Sequence, residues 1–124
     1  MNSYKYFLYL LIITIGLSNN TCPIILIHGF LGWGRDEMVN YYYWGGKQDY
    51  ETQLNQLGYE VYSVSVGPIS ANWERAIEAF YQIKGGQLDY GTIRSDTLGI
   101  IQKPINKNYS GLIHHGMKRI LFIL

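Results

Sequence analysis

The sequence predicts an α/β domain with a parallel central sheet and flanking helices, and three observations carry that prediction. Ile24 to Ile27 is a short, unbroken, β-branched run of the kind buried on both faces of a parallel sheet. A helical pattern and a second strand pattern follow it as far as Val66, which makes a strand-helix-strand unit with a right-handed crossover. One amphipathic helix is then written plainly after Asn72. At 124 residues, 48% hydrophobic and 15% aromatic, the chain has material for one small domain with a core.

The first 18 residues read as a leader: Lys5 is the positive n-region, Phe7 to Leu17 an uncharged apolar run, and Gly16-Leu17-Ser18 the small-residue cleavage site. The domain proper is then 19–124, on a secreted protein. The apolar run falls short of the ~20 residues that span a bilayer, so an uncleaved anchor is the weaker alternative. Cys22 cannot form a disulfide within the chain and lies before the first strand, which suits a small buried or tail residue better than a catalytic thiol.

After Ile27 the strand breaks into His28-Gly29-Phe30-Leu31-Gly32-Trp33-Gly34. A His-Gly turn at the carboxyl end of a parallel strand aims the next backbone N–H groups into the crevice where open α/β sheets bind ligands; the same glycines would also serve a plain tight turn. The segment Arg35 to Gly46, with Tyr41-Tyr42-Tyr43-Trp44, is too aromatic for a solvated linker. It either walls an apolar substrate or packs as ordinary core.

Asp49 is placed to cap a helix carrying Tyr50, Leu54 and Leu57 on one face, which Gly58 stops. Tyr59 to Val66 alternates as a strand that Gly67-Pro68 ends. With Ser70 or Asn72 as cap, the next helix turns the stripe Trp73, Ala76, Ile77, Phe80 and Tyr81 toward the sheet and leaves Glu74 and Glu78 outside, until Gly85-Gly86 ends it. Ser63-Val64-Ser65-Val66-Gly67 mimics part of a nucleophile elbow but sits mid-strand with Pro68 following, so Ser65 is not a nucleophile. Thr92 to Tyr109 shows no period and reads as a long loop, His114-His115 as solvated turn histidines, and Arg119 to Leu124 as a buried central strand. Ten basic residues against nine acidic, with no basic run, leave no electrostatic footprint for nucleic acid.

Several linked stretches carry a resemblance: His28-Gly29-Phe30-x-Gly32-Trp33-Gly34-Arg35-x-Glu37-Met38, then Tyr43-Trp44-Gly45-Gly46, Val66-Gly67-Pro68-x-Ser70-x-Asn72-Trp73-x-Arg75-Ala76 and Gly85-Gly86-x-x-Asp89-Tyr90-Gly91. In order and spacing, Ile24 to Gly91 resembles the front of the secreted α/β-hydrolase lipases of thermophilic bacilli and staphylococci. The resemblance implies a partial α/β-hydrolase fold that stops before the nucleophile elbow. It makes the backbone N–H of Phe30 one donor of an oxyanion hole, a group worth about 2.7–4 kcal/mol to a transition state. It puts Gly29, Leu31 and Trp33 against the substrate, with the aromatic segment to Trp44 near the acyl site. The implied reaction is serine-triad hydrolysis of carboxylic esters, long-chain acylglycerols above all.

Two departures from the family pattern shape the expectation. The elbow serine would follow Leu124, so the nucleophile, the second oxyanion donor, and the later aspartate, histidine and calcium ligands fall outside the chain; loss of a nucleophile alone costs about a millionfold. The family's structural zinc uses an acidic and two histidine ligands, for which this sequence offers Glu74, Arg94 and Ile100, so no metal and no other cofactor is expected. The chain is thus either a truncated lipase, inactive by itself, or a short secreted lipid-binding or interaction module that keeps a lipase front. Its implied partners are lipid esters and lipid surfaces, with no obligate protein partner indicated.

Overall fold

In the computed structural model, which describes residues 22–113 and 120–124, the run Ile24–Ile27 is strand β1, the middle of a three-stranded parallel sheet. On one side lies β2 (Val61–Val64), in register Ile24 to Val61 through Ile27 to Val64. On the other lies the last strand of the chain, β5 (Leu121–Ile123), paired from Ile24 to Leu121. Ile25, Leu26 and Ile27 are buried, as a doubly covered strand requires. The leader and His114-His115 lie outside the described residues.

Helix α1 (Tyr50–Gln56) joins β1 to β2, capped by Asp49, whose carboxylate accepts from the Thr52 N–H at 3.2 Å. It buries no residue fully, and Leu57 is exposed, so the predicted apolar face is only loosely docked. What ties α1 to the sheet is polar: the Asn55 amide bonds Val61 in both directions, Nδ2 to the carbonyl at 2.9 Å and the Val61 N–H to Oδ1 at 3.3 Å.

Strand β2 is shorter than its alternation predicts, because after Val64 its backbone turns to side chains. The Ser65 N–H donates to Gln82 Oε1 at 2.9 Å and Gln82 Nε2 returns a bond to the Ser65 carbonyl at 2.6 Å. Val66 N–H goes to His28 Nε2 at 3.2 Å and Gly67 N–H to Glu78 Oε2 at 2.5 Å. Gln82 and Glu78 belong to helix α2 (Asn72–Lys84), and with Arg75 they form a polar row at i, i+3 and i+7 along one of its faces.

That row reverses the expected facing of α2. Glu74, Glu78 and Ala79 are buried, while Trp73 and Phe80, predicted to point inward, are 60% and 50% exposed. The cap differs too: Ala71 stands at the N-cap without a side-chain bond, in place of Ser70 or Asn72. The core proper is Ile25, Ile27, Val64, Val66 and Ala79, with Tyr62, Ile83, Leu112, Ile113 and Ile120 packed against it.

The stretch read as a long loop is partly ordered. It holds helix α3 (Thr92–Leu98), closed by Gly99 in the left-handed region, and β4 (Asn108–Tyr109), antiparallel to β3 (Gly86–Gln87). Only Ser95 of α3 is buried, so the helix leaves no apolar stripe in the sequence. The final strand is also corrected: among the described residues β5 is an edge strand with Leu121, Phe122 and Ile123 exposed, not a central one.

If the polar row holds α2 in place, Gln82→Leu lowers stability by about 1–3 kcal/mol through the stranded Ser65 groups. Phe80→Ser, on the exposed face, stays within about 0.5 kcal/mol. Urea unfolding midpoints of the two variants decide between this facing and the one the apolar pattern predicts.

Candidate functional site

The site is built on the turn that follows β1. His28 is 1% exposed, and both ring nitrogens are engaged: Nδ1 lies 3.0 Å from the Gly29 carbonyl and Nε2 accepts from Val66 N–H. These partners place the ring hydrogen on Nδ1. The residue therefore joins the ends of β1 and β2 and leaves no nitrogen over for proton transfer.

The Gly29 N–H donates to the Tyr43 hydroxyl at 3.1 Å, and the Gly32 N–H returns to the Gly29 carbonyl at 3.1 Å to close the turn. A Cβ at Gly32 would lie 2.7 Å from His28 Nδ1 and from the Tyr43 ring, so nothing larger than glycine fits beneath the turn. Leu31 occupies the left-handed region at φ 57°, a strained conformation for a branched side chain, and its N–H is held by the Pro68 carbonyl at 2.9 Å.

Between these held groups, the Phe30 N–H has no acceptor among the described residues. Phe30 lines a cleft of about 270 Å³ with His28, Gly29, Ser70, Asn72, Arg75 and Leu124. A second, more apolar cavity of about 370 Å³ shares Asn72, Arg75 and Leu124 with it. Ser70 is the one hydroxyl lining the cleft, and the one imidazole there, on His28, is fully engaged. The described residues thus bring a free backbone donor to a cleft without a nucleophile and base beside it.

Of the residues singled out from the sequence, Gly29 and Phe30 line the cleft. The exposed Leu31 stands beside it, and Trp33 lies behind the turn. There Trp33 meets Tyr43 edge to face at 5.3 Å, and Tyr43 meets His28 and Trp44 in the same way. The aromatic segment thus acts as packing that fixes the turn, through the Tyr43 hydroxyl above all. Arg35, bound to Asp49 and 3.1 Å from Glu51, pins the far end of that segment. Ser65 donates to Glu37, whose other oxygen accepts from Gly34 N–H at 2.9 Å. The hydrogen bond from Ser65 holds the Glu37 carboxyl below its usual range, against a smaller opposing effect of burial.

Arg75, Glu78 and Tyr43 carry roles that the sequence did not reveal, and Glu78 lies inside rather than on the outer face where its spacing put it. Arg75 reaches three carbonyls: Gly67 at 2.9 Å, Gly29 at 3.5 Å and His28 more closely. Glu78 accepts from the Tyr90 hydroxyl at 2.7 Å; burial first, and this bond second, push the phenol well above its usual range. The spacing of Arg75, Glu78 and Gln82 was the readable signal, a polar face at helical period on a helix that also had an apolar one.

A profile of the family described as "Lipase-like, C-terminal domain" matches residues 20–119. The chain belongs to this lipase-like family. It is 40% identical over 96 residues to a lipase of Staphylococcus epidermidis, covering 75% of this chain and 14% of that one. With lipase 1 of Staphylococcus aureus strain Mu50 it shares 37% over 100 residues, 78% of this chain and 14% of that relative. Among solved structures, lipase 1 of Pelosinus fermentans superposes with a TM-score of 0.71 at 47% identity, over 76% of this chain and 24% of that one. Staphylococcus hyicus lipase superposes at 0.69 and 36%, over 77% and 24%. The lipase-like chain therefore spans about a seventh of the length of the curated relatives it matches.

The residues present do not fit the structural zinc that the resemblance implies. Arg94 Nε donates to Glu74 Oε1 at 2.6 Å, so a cation already occupies the carboxylate, and Ile100 has no donor atom. No group of three or more His, Cys, Asp or Glu is placed to hold a metal among the described residues. The bond from Arg94 holds the Glu74 carboxyl below its usual range.

Three outcomes follow from this geometry. Gly32→Ala, by overpacking against His28 and Tyr43, lowers stability by about 1–3 kcal/mol in urea unfolding. The Glu74 carboxyl titrates lower when folded than its ordinary 4.5, so its contribution is whole above that pH and is lost as pH falls through the depressed value. Melting temperatures from pH 7 to 3 should therefore fall less steeply below about 4.5 in Arg94→Ala than in the parent. EDTA or added zinc should leave the parent's melting point where it is.

Proposed function

We propose that the chain supplies the oxyanion-donor side of an ester-hydrolysing lipase site, within an α/β-hydrolase fold and on a secreted protein. The observation that carries this reading is the Phe30 N–H, without an acceptor among the described residues, at the carboxyl end of the central strand beside a cleft. In such a site a serine attacks the ester carbonyl, and a histidine oriented by an aspartate takes the proton. The oxygen of the tetrahedral intermediate then rests against the Phe30 N–H. Gly29, Phe30 and Leu31 would contact the acyl group, with Trp33 in support behind them. The substrate class is carboxylic esters of lipids, acylglycerols first among them, by analogy with the lipases to which the chain is similar.

A second reading is favoured by exposed apolar side chains on the turns that carry the cleft: Phe30, which lines it, is 76% exposed, and its chain neighbour Leu31 and Ile69, which precedes Ser70, are 64% and 73% exposed. In that reading the chain binds a lipid surface without turning over an ester.

The test is the transcript, sequenced through and beyond the codon for Leu124. If the frame runs on into Gly-x-Ser-x-Gly or Ala-x-Ser-x-Gly, the encoded protein should hydrolyse p-nitrophenyl butyrate. Phe30→Pro, which deletes the donor N–H, should then lower kcat about 10²–10³-fold. A stop at that codon, with no turnover and with cosedimentation on phosphatidylcholine vesicles, gives the second reading instead.

A further inference from the structure

Arg75 sits in the first turn of α2 and spends its guanidinium on backbone carbonyls rather than on a carboxylate. Its Nη2 donates to the carbonyl of His28, and its Nη1 reaches the carbonyls of Gly67 at 2.9 Å and Gly29 at 3.5 Å. Two successive carbonyls of the turn after β1 thus face one cation, and the third belongs to the turn after β2. Peptide geometry turns this into a statement about donors. In a trans peptide the N–H points opposite the C=O, and no cis bond occurs among the described residues. Holding the His28 and Gly29 carbonyls on the guanidinium side therefore directs the N–H groups of Gly29 and Phe30 away from it. The Gly29 N–H is taken by Tyr43 at 3.1 Å; the Phe30 N–H is left open.

Resting on the ester-hydrolysis reading, we propose that Arg75 is the positioning residue of the oxyanion donor: it fixes the Gly29–Phe30 peptide with its C=O inward and its N–H presented. The Gly29 carbonyl also accepts from Gly32 N–H at 3.1 Å and lies 3.0 Å from His28 Nδ1, so three donors converge on one oxygen. Two of them are neutral and local. Arg75 alone brings a full charge, and it alone ties the turn to α2. The positive charge draws electron density toward the Gly29 oxygen and makes the nitrogen of the same peptide a stronger hydrogen-bond donor, which is the property an oxyanion hole needs. Lysine cannot take over the role, because a compact ammonium lacks the planar fork that reaches separate carbonyls at once. Leu31, at φ 57°, follows directly and is held by its own bond to the Pro68 carbonyl, so the guanidinium acts on the peptide that leads into a strained residue.

The experiment uses the full chain, labelled with ¹³C and ¹⁵N, and reads the Gly29 carbonyl carbon and the Phe30 amide. Arg75→Ala should move the Gly29 ¹³C′ resonance upfield and shift the Phe30 amide, while the Val61 and Val64 amides of β2 stay in place. Millimolar ethylguanidinium should return both resonances, and propylammonium at the same concentration should not. Unmoved Gly29 and Phe30 resonances, or equal rescue by the two cations, overturn the proposal. Should Arg75→Ala fail to fold, the parent chain decides alone: the Arg75 Nη protons must exchange slowly and resolve singly, and averaged, fast-exchanging protons refute the clamp. None of these readouts involves an ester, so failure of the ester-hydrolysis reading leaves them unchanged, and their failure leaves that reading to its own test.

Discussion

The structure depends on what happens to the backbone where β1 and β2 end. A parallel pair of strands stops being a ladder at its carboxyl end, yet the chain there remains partly buried and its polar groups still need partners. Here one helix face provides them: Arg75, Glu78 and Gln82 satisfy both groups of Ser65, both groups of Gly67 and the carbonyl of His28. The two turns that form the site are thereby locked to each other through α2. The presentation of the Phe30 N–H at the cleft and the docking of the helix depend on one set of bonds.

Magnitudes explain why this arrangement wins over the one that the apolar pattern favours. Turning α2 to bury Trp73 and Phe80 would gain about 1.5–3 kcal/mol for each side chain. It would also strand five backbone groups, at about 1–3 kcal/mol each where they stay away from water, together with three polar side chains facing the wrong way. Five groups outweigh two side chains. Trp73 and Phe80 are accordingly left exposed, while Ile77 and Tyr81 of the same stripe are half-buried.

What could be read from the sequence follows the same division. The central strand was legible because burial on both faces demands an unbroken apolar run, and Ile24 to Ile27 has one. Helix α1 was legible through Asp49, a cap that acts within three residues. The existence of α2 was clear and its facing was not, since Gln82 serves Ser65 across 17 positions and no local period encodes that. Helix α3 was missed because it buries only Ser95. At the site, the motif around Phe30 was visible as a turn with glycines at fixed places, but the means of holding it were not. Tyr43 looked like one tyrosine among several, and Arg75 like an ordinary helical cation. Both act through backbone atoms, and a backbone atom has no letter in the sequence.

Gly34 and Ser65 face each other so closely that a Cβ on the glycine would lie 2.3 Å from the serine's own. Neither position can drift by itself. A side chain at 34 has to wait for glycine at 65, and even then the Cα there, 3.1 Å away, must give ground. Yet the change at 65 forfeits the hydroxyl that Glu37 accepts, and the change at 34 that follows does not restore it. Each single step along that route is downhill in stability, so descendants of this sequence are expected to keep the pair together or to lose the turn it braces.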